Sequence, residues 1–289
     1  MTLNRPKASM ADAVYLRVAD LLGKSARNAA VLAVVITGGA GYFTSGADVK
    51  EIAAKAPSET PMIHQPFGIF AIAVMTFPKI LIAAVNGPAV GVGVTLLPHC
   101  DIVYAYGGGG GGGGGAAHGG GHGGGRGGGG GGGGGRRGGG GAVVGTKPAD
   151  FWTPFFRLAI VPEFCSSVTF PEILGWSLAN EMLIMGRKLT AQEALSAGLV
   201  STVVTADSEE GFLCQASVRD GVRKNVLENA MAAESARTFK RVMWGARRPR
   251  LLRVFEAELV ELGRRMRAGH PKAALKHLAR RPRDGSSKL

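Results

Sequence analysis

The sequence predicts an α/β fold that is followed by a helical C-terminal extension. Short apolar, strand-like runs alternate with helical patterns over the first two thirds of the chain, and two of these runs end in glycine-bearing turns. From residue 225 onward the pattern is helical and basic. Such alternation is typical of α/β domains. With 289 residues, of which 45% are hydrophobic, the chain is long enough to bury a substantial core.

The individual elements follow from local hydrophobic patterns and from glycine and proline positions. The first helix is predicted at 10–22, and the apolar run at 31–37 predicts a buried strand. After these come an apolar helix at 61–77, a strand at 80–85, a short helix at 91–97, a strand at 101–105 that resumes at 149–152, and helices at 166–174, 177–185 and 191–197. We therefore predict a core at 1–204 and a helical C-terminal region at 205–289.

A glycine-rich tract occupies residues 107–141, where 28 of 35 positions are glycine. Because the chain has 47 glycines in all, the remainder of the chain has an ordinary glycine content. The tract contains no large apolar side chains, so we predict a disordered insertion. Its two histidines and three arginines are too few to indicate a metal site or an RNA-binding segment.

The net charge of +13 favours polyanionic partners, and many of the arginines lie late in the chain. Nucleic acid, a phosphate-rich small ligand and a solvated helix face are all compatible with this charge. The terminal Ser287-Lys288-Leu289 matches a peroxisomal address and predicts an import receptor as a partner. No membrane span is expected, because the most apolar stretch contains Asn86 and Pro88.

Two glycine-bearing turns are the most informative feature for chemistry. One contains Phe43-Thr44-Ser45-Gly46-Ala47-Asp48, and the other contains Asn86-Gly87-Pro88-Ala89-Val90-Gly91-Val92-Gly93. Glycine allows close backbone approach, and N–H groups left free after such a turn can bind an anion or a polarised oxygen. Two converging turns could hold one oxygen from both sides, as acyl chemistry requires. The alternative is that both are merely tight connections.

These two segments, together with the segments at 3–6, 100–105 and 189–194, resemble the crotonase superfamily, whose members act on acyl-CoA thioesters. The resemblance implies a superhelix of ββα units that forms two roughly perpendicular sheets. It also implies a homotrimer in which the C-terminal helices pack against neighbouring subunits.

The resemblance further implies where a thioester would bind. The two main-chain donors of an oxyanion hole match the N–H groups of Ala47 and Val92. The expected contacts with substrate and CoA are Ser45, Gly46, Asp48, Val49, Lys50, Gly91 and Lys240. No metal and no redox cofactor is expected, since CoA arrives as part of the substrate.

The acidic residues distinguish between reactions within the superfamily. Enoyl-CoA hydratases use two glutamates, and the matching positions here are Thr95 and Phe155, neither of which can act as a carboxylate acid or base. The segment around Glu163 instead resembles peroxisomal Δ3,Δ2-enoyl-CoA isomerases, in which a single glutamate moves a proton from C2 to C4. The resemblance thus implies a peroxisomal isomerase of fatty enoyl-CoA that acts in β-oxidation, with Glu163 as the catalytic residue. Its apolar neighbours should raise its pKa.

Three alternatives remain open at this stage. Glu163 could be a structural carboxylate at the N-terminus of the helix that begins near Ser166. The chain could be a hydratase or another acyl-CoA enzyme with a rearranged acid. It could also be a basic module that binds nucleic acid through its arginines and the glycine-rich tract. We nevertheless predict that the protein has no nucleic-acid partner.

Overall fold

A computed structural model represents the protein. The residues it describes are 1–3, 9–39, 41–48, 51, 58–108, 147–206, 211–213 and 231–280. Predictions that concern Val49, Lys50, the terminal tripeptide and nearly all of the glycine-rich tract therefore lie outside the described residues.

Among the described residues, the main sheet has five parallel strands. In spatial order they are β1 (Thr2–Leu3), β2 (Ala33–Gly38), β3 (Ile80–Val85), β5 (Ile102–Tyr106) and β8 (Thr202–Val204). Every residue of β3 from Leu81 to Val85 is fully buried. A central parallel strand covered on both faces is expected to be uniformly apolar, and the sequence of β3 has this character.

A second sheet contains three short strands, in the order β4 (Ala89–Val90), β6 (Asp150–Trp152) and β7 (Leu189–Thr190). This sheet corrects one prediction, since residues 149–152 do not resume the strand at 101–105. The two segments are adjacent, because the Ala149 N–H donates to the Tyr106 carbonyl. However, β6 pairs with β4 rather than with a strand of the main sheet.

Most of the predicted helices are present, with altered bounds. The helices before the C-terminal region are α1 (Asp12–Arg27), α2 (Pro66–Met75), α3 (Val92–Thr95), α4 (Ser166–Leu174), α5 (Trp176–Asn180) and α6 (Ala191–Ser196). The predicted helix at 61–77 is divided, because Gln65 is extended and Pro66 begins α2 at a position where a missing N–H is tolerated. A separate 3₁₀ turn, Met62–His64, precedes it.

The described residues of the C-terminal region are largely helical, as predicted, and include α7 (Ala232–Gly245), α8 (Arg247–Arg267) and α9 (His270–Arg280). The buried face of α8 carries Leu251, Phe255 and Leu259, which belong to the main hydrophobic core. This face brings the C-terminal region into the core beside α2. Within the described part of the chain, no helix has the length and apolar character needed to cross a membrane.

Candidate functional site

The two glycine-bearing turns meet in the folded chain. The N–H groups of Phe43 and Thr44 both donate to the Pro88 carbonyl, at 3.1 and 3.3 Å, and the Val90 N–H donates to the Thr44 carbonyl at 3.0 Å. Segments that are more than 40 residues apart in sequence therefore run side by side. The predicted convergence of the turns is confirmed.

Glycine is required at both turns for different reasons. Gly46 has a φ of +84°, and a Cβ there would lie 3.1 Å from the Val90 carbonyl oxygen. Gly91 combines a φ of 55° with a ψ of −116°, which L-residues rarely adopt. A Cβ at Gly91 would approach no atom more closely than 3.8 Å, so conformation rather than space requires glycine at this position.

The two predicted oxyanion donors are held by this arrangement. Met10 pairs with Ala47 in an isolated parallel β-bridge. The Met10 N–H donates to the Gly46 carbonyl, and the Asp48 N–H donates to the Met10 carbonyl. The Ala47 N–H therefore points away from Met10. Val92 is the first residue of α3, so its N–H has no acceptor within the helix. No backbone acceptor among the described residues receives either N–H; their alignment on one thioester oxygen stays a prediction.

Asp48 follows the first turn and is engaged within the protein. Its carboxylate accepts hydrogen bonds from the Ser9 hydroxyl at 3.0 Å and from the Glu51 N–H at 3.2 Å. These bonds connect the first turn to the segment before α1 and to residue 51. A contact of Asp48 or of the partly exposed Ser45 with CoA stays a prediction.

The burial of Lys240 contradicts the prediction that its side chain binds CoA. Its side chain is only 6% exposed, and Nζ donates to the Asp101 carboxylate and to the Lys79 carbonyl, both at 2.7 Å. The Trp244 indole N–H donates to the other oxygen of Asp101. Because α7 packs against β3, Lys240 connects a C-terminal helix to the main sheet and is turned away from solvent.

The two positions that match the hydratase glutamates are buried and carry no carboxylate. Thr95 is completely buried, and its hydroxyl lies 3.5 Å from the Gly91 carbonyl oxygen. The ring of Phe155 is 2% exposed and faces Gly91. The surroundings of the second turn are therefore apolar where a hydratase requires two acids.

Glu163 lies in a tight bend that leads into α4. Its N–H donates to the Ser166 hydroxyl at 3.1 Å, and the Ser166 N–H donates back to the Glu163 carbonyl at 3.0 Å. The next two residues, Phe164 and Cys165, have φ values of 54° and 63°. Left-handed conformations are unfavourable for such residues, and strained backbone of this kind persists only where its surroundings determine it.

The Phe164 ring anchors this bend in the core. It is completely buried and makes edge or tilted contacts with Phe67, Phe70 and Phe255. The His99 ring stacks on it at 4.4 Å, and the His99 Nε2 lies 2.9 Å from the Phe164 carbonyl oxygen. Burial lowers the pKa of His99 to about 4, so the ring is neutral at pH 7 and Nε2–H is the donor of this bond.

The Glu163 carboxyl group has the character of a proton-transfer group. Burial raises its pKa to about 8, and the nearby charge of Glu258 acts in the same direction. The Glu163 side chain is partly exposed. Its charge also helps to raise the pKa of Tyr15, which places the carboxyl group close to α1.

The N-terminus of α4 is capped by Glu258, which lies on α8. The Glu258 carboxylate accepts hydrogen bonds from the Cys165 N–H at 2.6 Å, the Ser167 N–H at 3.0 Å and the Ser167 hydroxyl at 2.5 Å. The structural role considered for Glu163 is therefore filled by another residue. Within the described part of the chain, no hydrogen bond or ion pair engages the Glu163 carboxylate.

Our sequence-based reasoning missed Glu258, although a signal was present. Positions 255, 258, 259 and 262 follow helical spacing, and all of them are buried in the structure. A glutamate within an otherwise apolar stripe indicates a buried acid that needs partners. The sequence could not indicate that those partners lie some 90 residues earlier.

An open groove of about 390 Å³ lies elsewhere, between β1 and α1, and its lining includes Met1, Leu3 and Arg17. None of the predicted site residues belongs to this lining. The site described above is therefore separate from this groove.

The family model for enoyl-CoA hydratase/isomerase matches residues 1–107 and 130–259. The chain belongs to this family. The interruption of the match falls inside the glycine-rich tract, and the matched part extends through Glu258.

Similar curated proteins include enoyl-CoA isomerases. Peroxisomal enoyl-CoA delta isomerase 3 of Mus musculus is 32% identical over 70% of this chain and 53% of its own length. Enoyl-CoA delta isomerase 2 of Homo sapiens is 33% identical over 69% of this chain and 42% of its own length. Chromodomain Y-like protein 2 of Mus musculus is 36% identical over 59% of this chain, but over only 27% of its own length. The chain thus spans between about a quarter and about half of these relatives.

Solved structures agree with the family assignment. The structure of Pseudomonas aeruginosa OdaA has a TM-score of 0.74 and 30% identity, covering 97% of this chain and 94% of that chain. An enoyl-CoA hydratase/isomerase from Pseudoalteromonas atlantica has a TM-score of 0.72 at 25% identity, covering 96% and 91%. The predicted crotonase-like α/β fold, with two sheets and C-terminal helices, is confirmed.

Proposed function

We propose that this protein is a Δ3,Δ2-enoyl-CoA isomerase in which Glu163 is the catalytic acid and base. Glu163 supports this proposal most strongly, because its carboxyl group has a raised pKa while the adjacent helix is capped by Glu258. A carboxyl group with a pKa near working pH is suited both to accept and to return a proton. The relatives named as enoyl-CoA delta isomerases agree with this reaction.

The proposed reaction moves one proton and one double bond. The Glu163 carboxylate removes a proton from C2 of a 3-enoyl-CoA, so the C2–H bond breaks and an enolate forms. The N–H groups of Ala47 and Val92 stabilise the charge on the enolate oxygen, a contribution typically worth about 3–4 kcal/mol for each donor. The protonated Glu163 then donates to C4, and the double bond lies between C2 and C3. CoA enters and leaves with the substrate.

Hydration is disfavoured, because Thr95 and Phe155 replace the two acids that it requires. Incubation of the protein with a 3-enoyl-CoA should therefore yield the 2-enoyl-CoA, which is followed by its conjugated absorbance. Incubation with a 2-enoyl-CoA should yield no 3-hydroxyacyl-CoA by mass spectrometry. Formation of the hydroxyacyl product without isomerisation would contradict the proposal.

Gly46→Ala tests whether the first turn carries an oxyanion donor. The φ of +84° and the 3.1 Å approach to Val90 should destabilise the fold by about 1–3 kcal/mol. Displacement of the adjacent Ala47 N–H should lower kcat by about tenfold or more. Gly245→Ala is the matched control, because a Cβ there meets no atom within 4 Å and its φ is not positive. Unchanged kcat in folded Gly46→Ala would argue against the donor at Ala47.

Location and assembly stay predictions. A peroxisomal location is supported by the name of the relative from Mus musculus. The homotrimer and the import receptor are proposed from the resemblance and from the terminal tripeptide alone.

A further inference from the structure

Beyond Glu163 itself, a buried glutamate on the C-terminal helix α8 is attached to the same bend. Glu258 is 9% exposed and is fully engaged, since each of its two oxygens accepts at least one hydrogen bond from residues 165–167. A charged group at this depth is costly unless it is hydrogen-bonded. Its three bonds all go to the two residues that flank Ser166, and Ser166 is itself bonded to Glu163 in both directions.

The bend between Glu163 and Ser166 does not hold its shape by local preference. Phe164 and Cys165 are consecutive residues in the left-handed region, which is unfavourable for residues that carry a Cβ. Outside contacts must therefore determine it. One contact comes from His99, which binds the Phe164 carbonyl, and the other comes from Glu258, which binds the Cys165 N–H.

We propose that Glu258 is a positioning residue for the isomerisation, and that its carboxylate holds the bend at residues 164–167 so that the Glu163 carboxyl group is fixed against the substrate. This inference rests on the proposed function of Glu163. Glu258 acts through the backbone of Cys165 and Ser167 and is not a catalytic residue. It makes the active site depend on the C-terminal helix α8.

Glu258 also acts on Glu163 through its charge. Burial raises the pKa of Glu258 to about 7, with the hydrogen bonds from Ser167 and Cys165 opposing this rise. The negative charge of Glu258 in turn disfavours ionisation of Glu163 and contributes to the raised pKa of that group. Among the described residues, the other titratable groups coupled to this pair are the Tyr15 hydroxyl on α1, through the charge of Glu163, and the Cys165 thiol, through the charges of Glu258 and Arg247.

Glu258→Gln tests both effects. Glutamine keeps one acceptor oxygen and places an NH₂ group where the second oxygen faced an N–H donor, so at least one of the three bonds is lost. We expect kcat to fall by about tenfold to a hundredfold, as for a displacement of about 1 Å, with KM changed by less than about twofold. The midpoint of the rising pH–rate profile should move below the wild-type value of about 8.

Glu256→Gln is the matched control, because Glu256 lies on the same helix and is exposed. It should leave kcat and the pH profile unchanged. A purely structural role of Glu258 would lower the unfolding temperature without lowering kcat in protein that is folded at the assay temperature. Wild-type kcat and an unmoved midpoint in folded Glu258→Gln would overturn the proposal.

Ser167→Ala keeps the test decisive if Glu258→Gln does not fold. It removes one of the three donors to Glu258 and retains both N–H groups. We expect kcat to fall by about threefold, whereas Ser177→Ala, at an exposed position on α5, should have no effect. An unchanged kcat in Ser167→Ala would count against the proposal.

A titration that needs no turnover separates this inference from the proposed function. In protein labelled with ¹³C at the glutamate carboxyl carbons, NMR should show a resonance that titrates near pH 8 and is lost in Glu163→Gln. Its midpoint should fall in Glu258→Gln. If that shift is seen but the wild-type protein isomerises no 3-enoyl-CoA, only the proposed function fails. If the wild-type protein isomerises while the resonance and kcat stay unmoved in Glu258→Gln, only the positioning role fails.

Discussion

Glu163→Gln should reduce the turnover of a 3-enoyl-CoA by about 10²- to 10⁴-fold, the range typical for loss of a general acid or base. The amide has nearly the shape of the carboxylate but cannot accept the C2 proton. KM should change little, because the main-chain donors and the CoA contacts do not involve this side chain. Steady-state kinetics with the conjugated product as the readout would measure both quantities.

The control for this substitution is Glu234→Gln, at an exposed position on α7, which should retain wild-type turnover. Folding gives a second check. The pKa of Glu163 is raised in the folded state, so the stability associated with its protonated form is present at low pH and is lost as the pH rises towards 8. Glu163→Gln should therefore unfold at a higher temperature than the wild-type protein at pH 9. Turnover within about threefold of wild type would exclude Glu163 as the base.

Lys240→Met should destabilise the protein by about 3–5 kcal/mol, as expected when one partner of a buried ion pair is removed. Asp101 would then keep the Leu81 N–H and the Trp244 indole as donors but would lose its only cationic partner among the described residues. The loss should appear in urea unfolding as a lower midpoint. Lys272→Met, at an exposed position on α9, should leave the midpoint unchanged.

This experiment also decides the role first assigned to Lys240. If the ammonium only joins α7 to the main sheet, the KM for the acyl-CoA should not change in protein that is folded at the assay temperature. A large rise in KM, together with unchanged stability, would restore the predicted contact with CoA phosphates. The two outcomes differ in both measurements, because one changes stability alone and the other changes KM alone.

Features that depend on neighbouring residues were predicted more successfully than features that depend on residues distant in the sequence. The strands at 33–38 and 80–85 follow from apolar runs, and the turns at Gly46 and Gly91 follow from glycine chemistry, so each is present in the structure near its predicted position. The segment at 149–152 was placed in the wrong sheet, because nothing in a short apolar run indicates which strand it will pair with. Pairing is decided by partners that are distant in sequence.

Lys240 and Glu258 illustrate the same limit at the level of side chains. A lysine in a basic helix suggests an exposed phosphate contact, yet the fold brings Asp101 to it from 139 residues away. Similarly, Glu163 lies three residues before Ser166, where it could cap the helix, but the capping carboxylate is that of Glu258 on α8.

The amino-acid sequence alone determined the family, the α/β class with its helical extension and the two glycine-bearing turns, and it is the source of the prediction that Glu163 is the catalytic acid. All of these depend on residue types at short spacings, which constrain backbone conformation directly. Only the tertiary structure decided that Glu258 caps α4, that His99 binds the Phe164 carbonyl and that Lys240 is buried. Each of these depends on burial and on contacts between remote segments, and the free energy of a buried charge or polar group is set by the partners that the complete fold supplies.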